Sequence, residues 1–135
     1  MPQELVFIPM GAMALLTFTV LGMIPARRFR AAFAGRVRPE DFKFGESPAV
    51  PGDVSIPNRN YMNLLELPML FYVGGLMYYV AGRLDEAALT VAWVYVALRA
   101  IHSAIHLTYN NVIHRLIPFA LLNFVLLAFW VLFFV

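Results

Sequence analysis

Cysteine is absent from the 135 residues of this chain. A protein without cysteine forms no disulfides and supplies no thiol of its own for catalysis or metal binding. Any thiol that takes part in its chemistry must therefore arrive with a ligand. Charge is scarce as well, since 13% of the residues are charged and the formal net charge is +2. A charge this small gives no indication of a nucleic-acid partner.

Apolar residues make up 61% of the sequence. A soluble domain of this length needs more polar surface than the remaining residues provide. Several apolar runs also reach the length of about 20 residues that a helix needs to cross a bilayer. The composition therefore predicts an all-α, integral membrane protein.

Four spans are predicted, at about 5–27, 59–81, 87–109 and 112–135, in a single domain that covers residues 1–135. A signal peptide is the alternative interpretation of the first run, because this run is amino-terminal and apolar. However, its basic residues follow the apolar run instead of preceding it. We therefore expect a retained span and a four-helix bundle in the membrane.

The long connection at about 28–58 is rich in basic residues and then in proline and glycine. The segment Glu46–Asp53 and Pro57 predict that no regular helix forms there. Of the basic residues near the span ends, only Arg83 lies on the opposite side of the membrane from this loop. By the positive-inside rule, the loop is expected in the cytoplasm and both termini outside.

Two spans carry rows of polar residues. In the second span Arg59, Asn63 and Glu66 are spaced i, i+4 and i+7, which places them on one helical face. The third span carries a second row at i, i+3, i+7 and i+10, formed by Arg99, His102, His106 and Tyr109. Ionisable residues within a span normally face a partner helix or a wet cavity.

Arg99 and Glu66 fall at comparable depths on antiparallel neighbours, roughly 15 Å and 10 Å from the loop side at 1.5 Å per residue. The sequence therefore predicts an Arg99–Glu66 ion pair. Such a pair has two interpretations, because it can either belong to a binding site or only fix the register of the two helices.

Two ligand chemistries fit these rows. His102 and His106 have the i, i+4 spacing of a metal site. However, the chain has no cysteine, and Arg99 would repel a cation. An anionic ligand fits better, because arginines clamp carboxylates with paired hydrogen bonds. With Glu66 and Asn63 available for an ammonium or amide, the pattern suits a small zwitterionic peptide, and we expect no metal.

The motifs resemble the MAPEG family, the membrane-associated proteins in eicosanoid and glutathione metabolism. The resemblance rests on Ala26-Arg27-Arg28, on Arg59-x-x-x-Asn63-x-x-Glu66 followed by a proline, on Arg99-x-x-His102 and on Arg115. It covers essentially the whole chain. The family includes leukotriene and prostaglandin E synthases, microsomal glutathione transferases and the non-catalytic lipoxygenase-activating protein.

The resemblance implies a homotrimer of four-helix bundles that binds glutathione between adjacent subunits. It implies that Arg115 is catalytic and stabilises the thiolate of glutathione. The residues assigned to glutathione binding are Arg27, Arg28, Arg59, Asn63, Glu66, Arg99, His102, His106 and Tyr109. His106 stands where other members have a tyrosine. This departure, the short chain and the early proline indicate a bacterial branch, expected in the inner membrane, whose substrate is not an eicosanoid.

Three functions remain open. The first is a glutathione-dependent transferase or peroxidase that acts on a lipophilic electrophile or hydroperoxide from the bilayer. The second is a non-catalytic accessory or lipid-binding membrane protein on the same scaffold. The third, a channel or transporter, is disfavoured because polar groups occupy one half of the bilayer and line no through-path.

Overall fold

A computed structural model describes residues 1–135. The chain contains five α-helices, which are α1 Phe7–Phe33, α2 Gly52–Leu65, α3 Pro68–Ala81, α4 Glu86–Leu107 and α5 Val112–Phe134. Short 3-10 turns at Gln3–Val6 and Pro39–Phe42 complete the regular structure, and there is no β-strand. The all-α prediction is confirmed.

The helices provide four segments that are long and apolar enough to cross a membrane: Gln3–Phe33, Gly52–Ala81, Glu86–Leu107 and Val112–Phe134. The number of spans and their order agree with the sequence prediction. Helix α1 packs along α2, and α4 packs along α5. The bundle is thus a multi-pass membrane protein fold, as its hydropathy predicted.

The second span differs from the single helix predicted at about 59–81, because it is broken between α2 and α3. Helix α2 ends at Leu65, Glu66 has non-helical backbone angles (φ −82°, ψ −102°), and Pro68 opens α3. Proline has no N–H to donate and its ring clashes with the carbonyl four residues earlier. Pro68 therefore starts a new helix more readily than it continues an old one.

Helix α2 also begins at Gly52, so the prediction that Pro57 excludes a helix was wrong. A proline inside a helix leaves the carbonyl four residues earlier, here that of Asp53, without its usual donor. Arg27 takes over this role, because its Nη1 donates to the Asp53 carbonyl at 3.0 Å. A contact from another helix thus makes Pro57 tolerable.

The connection between the first two spans is shorter than the predicted 28–58, because α1 continues to Phe33. Gly35 then adopts a positive φ of 73°, and the Arg36 N–H donates to the Ala31 carbonyl at 2.9 Å. A glycine in this left-handed conformation is a common helix stop. The remaining loop packs on the helices through a small buried cluster of Ala31, Val37, Val50 and Val54.

The interior of the bundle contains a cluster of aromatic rings in the half away from the loop. The Phe71 ring lies 4.8 Å from Tyr95 and 5.5 Å from Phe129, between ring centroids. The buried Tyr78 hydroxyl donates to the Phe129 carbonyl at 2.6 Å. This apolar half holds α3, α4 and α5 together and leaves the polar rows to the other half.

Candidate functional site

A cavity of about 390 Å³ opens between α2, α4 and α5 at the loop end of the bundle. It is lined by Arg59, Asn63, His102, His106, Val112, Arg115, Leu116 and Phe119. Five of these lining residues belong to the predicted site. The cavity therefore brings together the row on α2, the row on α4 and the first turn of α5.

Each wall of the cavity follows from local helix geometry. His102 and His106 lie one turn apart on α4, with ring centroids 5.9 Å apart. On α5, Asn111 caps the helix by accepting from the Ile113 and His114 N–H groups, at 3.0 Å each. This cap fixes the turn from which Arg115 projects, and the Arg115 Nη1 donates to the Asn110 side chain at 2.8 Å.

The charge of the cavity is positive. Arg59 and Arg115 contribute guanidinium groups, and no carboxylate lines the space. Arg59 forms no ion pair, since the chain has only the Arg28–Glu46 and Arg36–Asp53 salt bridges. Arginines without acidic partners beside a cavity favour an anionic ligand.

Arg99 lies directly behind this cavity. Its side chain is 1% exposed, its Nη2 donates to Asn63 Oδ1 at 3.1 Å, and its Nε is buried without a partner. A buried charge with so few partners is unfavourable unless something else compensates for it. Arg99 thus adds positive potential to the cavity and orients the Asn63 amide.

The predicted Arg99–Glu66 ion pair does not form in this structure. Glu66 is exposed at the break between α2 and α3, and Asn63 accepts from Arg99 instead. The prediction assumed an unbroken helical row from Arg59 to Glu66. Pro68 removes that regularity just where Glu66 would complete the row.

The remaining predicted residues lie outside the cavity. Tyr109 is 61% exposed, and its hydroxyl lies 3.2 Å from His114 Nδ1. Arg27 donates to the carbonyls of Asp53 and Leu107, both at 3.0 Å. Arg28 is paired with Glu46 at 3.0 Å. Within one chain, these arginines and the cavity are therefore separate.

Three apolar wall residues were not predicted from the sequence: Val112, Leu116 and Phe119, all on α5. Phe119 lies against His102, with ring centroids 5.4 Å apart. Relative to Arg115, Val112 lies at i−3 and Phe119 at i+4, which places both on the same helical face, while Leu116 follows Arg115 directly. This spacing was a usable signal, although hydrophobicity alone does not distinguish a cavity wall from a lipid-facing residue.

Several buried polar atoms around the cavity have no protein partner. The Nδ1 atoms of His102 and His106 belong to this group, although both residues line the space. Asn60 is fully buried, and its Oδ1 accepts from the Ser103 hydroxyl at 3.4 Å, while its Nδ2 remains unpaired. Buried polar groups in proteins normally find partners, so this concentration is typical of a ligand site.

The fold and the cavity together define a class, a four-span helical membrane protein with a cationic cavity at one end of its bundle. Comparison with known families then identifies it further. The profile of the MAPEG family matches residues 6–135. The chain therefore belongs to the MAPEG family, as its motifs indicated.

The family match leaves the particular activity open. MAPEG proteins include glutathione transferases and peroxidases as well as members without catalytic activity, and they generally use glutathione. No curated protein and no solved structure matches the chain significantly. The activity is therefore inferred from the residues and geometry of the cavity.

Proposed function

We propose that this protein is a membrane-bound, glutathione-dependent transferase or peroxidase that acts on lipophilic electrophiles or hydroperoxides. The observation that supports this most is the cavity, in which Arg59 and Arg115 stand without any carboxylate. Glutathione carries two carboxylates and brings the thiol that a chain without cysteine lacks. The family match favours the same ligand.

The residues present fit glutathione. Arg59 suits a carboxylate, which an arginine binds through two parallel hydrogen bonds. The Asn63 amide, held by Arg99, suits an amide of the ligand, and His102 and His106 line the same cavity. Glu66 is exposed at the nearby helix break, where it is available for an ammonium group.

Arg115 is assigned the role of activating the sulfur. A guanidinium beside a thiol lowers the thiol pKa and increases the reactive thiolate fraction. In a transferase reaction the thiolate forms a bond to the electrophilic carbon, and the leaving group departs. In a peroxidase reaction two glutathione molecules become a disulfide, while the hydroperoxide is reduced to an alcohol and water. The apolar wall of Leu116 and Phe119 suits a lipophilic partner.

The surroundings are proposed by family analogy. We expect a homotrimer in a bacterial inner membrane, with the basic loop in the cytoplasm. Large apolar side chains are exposed along the helices, among them Leu15, Phe18, Val80 and Phe124. Such surfaces are expected to meet lipid or another subunit.

Removal of Arg115 tests the catalytic assignment. We expect Arg115→Ala to bind glutathione but to lose the ultraviolet absorbance of the thiolate. Turnover should fall by about 10²-fold or more, because one positioned charge is typically worth that much. Calorimetry and ultraviolet difference spectra of the purified protein measure both. Arg83→Ala is the matched control, since Arg83 stacks on Phe133 at the opposite end of the bundle. A normal thiolate signal in Arg115→Ala would overturn the assignment.

A non-catalytic accessory protein is the second candidate. The Arg99–Asn63 hydrogen bond favours it, because this bond joins α4 to α2 without any ligand. On this alternative, Glu66→Gln weakens subunit assembly, and glutathione produces no heat of binding in either form. Measurable binding of glutathione to the unmodified protein, together with intact assembly of Glu66→Gln, would reject this candidate.

A further inference from the structure

A second recess, separate from the cationic cavity, lies beside the end of α1. It encloses about 450 Å³ and is lined by Ile24, Pro25, Arg28, Phe29, Ala32, Val37, Arg38, Pro39 and Phe42. Seven of these nine residues are apolar, and the other two are arginines. No acidic residue lines the recess, and none of its residues lines the cationic cavity.

The recess is built by the loop folding back on α1. The Arg28 guanidinium lies over the Phe42 ring, 4.5 Å from its centroid, and its Nη2 pairs with Glu46 at 3.0 Å. Val37 is buried in the small cluster beneath the loop. These contacts hold the Pro39–Phe42 turn against the helix, so that the turn forms one wall of the recess.

Arg38 is free to meet a ligand. Its backbone is fixed, because its N–H donates to Asp41 Oδ2 at 2.9 Å and because a residue that precedes a proline, here Pro39, is restricted to extended backbone angles. Its side chain is exposed and forms neither an ion pair nor a hydrogen bond within the chain. The loop-side acid Glu46 is occupied by Arg28. A guanidinium at the rim of an apolar recess is thus left without an anion.

The position of the recess along α1 indicates what fills it. The chain has no charged residue between Glu4 and Arg27, a length of roughly 33 Å in a helix, which matches a hydrocarbon core of about 30 Å. Ile24 and Pro25 therefore lie at the edge of the hydrocarbon. Arg28 and Arg38 lie at the depth of the lipid headgroups.

We propose that this recess binds an anionic phospholipid of the leaflet on the loop side. The lipid phosphate contacts Arg38, and an acyl chain packs along Ile24, Phe29 and Phe42. The charge of the surroundings agrees, since the segment from Arg27 to Glu46 contains six basic and three acidic residues. Basic segments next to a span attract anionic headgroups, and here an apolar groove continuous with the bilayer adds a place for the tail.

Arg28 lines this recess and is also assigned to glutathione by the family resemblance, so the test uses Arg38 and Phe42. Neither of these residues belongs to the proposed glutathione site, and each proposal can therefore fail without the other. The test is native mass spectrometry of the full chain in detergent, with dioleoyl phosphatidylglycerol or dioleoyl phosphatidylcholine added at equal concentration. We expect phosphatidylglycerol to be retained at least 5-fold more than phosphatidylcholine. Arg38→Gln should abolish this preference, whereas Arg38→Lys should keep most of it.

Arg83→Gln is the matched control and should leave the preference unchanged, because Arg83 lies at the other end of the bundle. Phe42→Ala should weaken retention of both lipids, since it removes a wall that the tails contact. An excess of inorganic phosphate should not displace phosphatidylglycerol, because phosphate has no tail.

Equal retention of the two lipids overturns the proposal, as does an unchanged preference in Arg38→Gln. Displacement by phosphate would also overturn the proposal. A changed number of subunits in Phe42→Ala, with unaltered lipid retention, would overturn it too, because it would mean that a second copy of the chain covers the recess.

Discussion

Arg99 carries a charge into the interior of the bundle with only the Asn63 carboxamide as a hydrogen-bond acceptor. A buried charge that lacks a counter-ion reduces stability. Such a residue is expected to contribute more to ligand binding than to folding. The sequence predicted that Glu66 would pair with Arg99, but Asn63 accepts from it instead. Arg99 therefore favours the binding of an anion at the expense of the stability of the fold.

A carboxylate at position 63 tests whether Arg99 lacks a counter-ion. Asn63→Asp places a carboxylate where Asn63 Oδ1 now accepts from Arg99 at 3.1 Å. We expect a higher melting temperature, because the buried guanidinium gains a counter-ion. Glutathione should bind about 10-fold or more weakly, because the positive potential of the cavity falls. Thermal unfolding and calorimetry measure the two effects.

Arg99→Met is the companion variant, because it removes the buried charge and keeps a long apolar side chain. It should also weaken glutathione binding, without lowering the melting temperature by more than a few degrees. A large loss of stability in Arg99→Met, together with unchanged binding, would mean that Arg99 is a purely structural residue.

At the scale of the helices, Arg27 connects three elements. It projects from α1 and donates to Asp53 in α2 and to Leu107 at the end of α4. The Asp53 carbonyl needs this donor because Pro57 has none, and the Leu107 carbonyl needs one because it lies at a helix end. At the loop end of the bundle, the Arg27 side chain thus connects α1 to both α2 and α4.

Replacing Arg27 tests this connection. We expect Arg27→Met to lower the free energy of unfolding by about 0.5–1.5 kcal/mol, the usual net contribution of a hydrogen bond, because one of the two bonds is exposed and the other only part-buried. Arg30→Met is the control, because Arg30 lies one turn further along α1 and its side chain makes no hydrogen bond or ion pair. Denaturant titration of both variants in detergent gives the comparison, and equal stability of the two would contradict the role of Arg27.

The glycines of α3 provide a second test at this scale. A Cβ atom added at Gly74 would lie 2.9 Å from Phe129 Cε1, whereas one at Gly22 in α1 would meet nothing within 4 Å. Gly74→Ala should therefore destabilise the bundle, by roughly 1–3 kcal/mol for an overpacked core. Gly22→Ala should be neutral or stabilising by about 0.5–1 kcal/mol. Thermal unfolding of the two single variants decides between these expectations.

At the scale of the whole molecule, the predicted ligand residues fall into two groups within one chain. Arg59, His102 and Arg115 line the cationic cavity, while Arg27 and Arg28 lie at separate recesses. If both groups bind one glutathione, we expect them to come from different subunits, because neither Arg27 nor Arg28 lines the cationic cavity of its own chain. This requirement agrees with the trimer that the family analogy implies.

Mixed oligomers test this arrangement. Arg28→Gln and Arg59→Ala are each expected to bind glutathione poorly when alone. Co-expressed in one trimer, the two variants create one interface in which both arginines are intact, so about a third of the sites should recover. Calorimetric stoichiometry of the tagged mixed trimer measures this fraction. If the stoichiometry stays at the level of the single variants, either both arginines of a site belong to one subunit or one of them does not bind glutathione.

The membrane class, the four spans and the convergence of polar groups at one end were all predictable from the order of residues alone. These features depend on local hydropathy and on helical spacing, which need no knowledge of distant contacts. The same spacing placed Arg59 and Asn63 on one face and His102 and His106 on another. Both expectations agree with the cavity.

How these groups pair became clear from contacts between the packed helices. Helix α2 begins early because Arg27, 26 residues away from Asp53 in sequence, supplies the donor that Pro57 lacks. Glu66 lies outside the row because the chain breaks before Pro68, and Arg99 then bonds to Asn63 instead. Such choices depend on contacts between residues far apart in the chain, and periodicity carries no information about them.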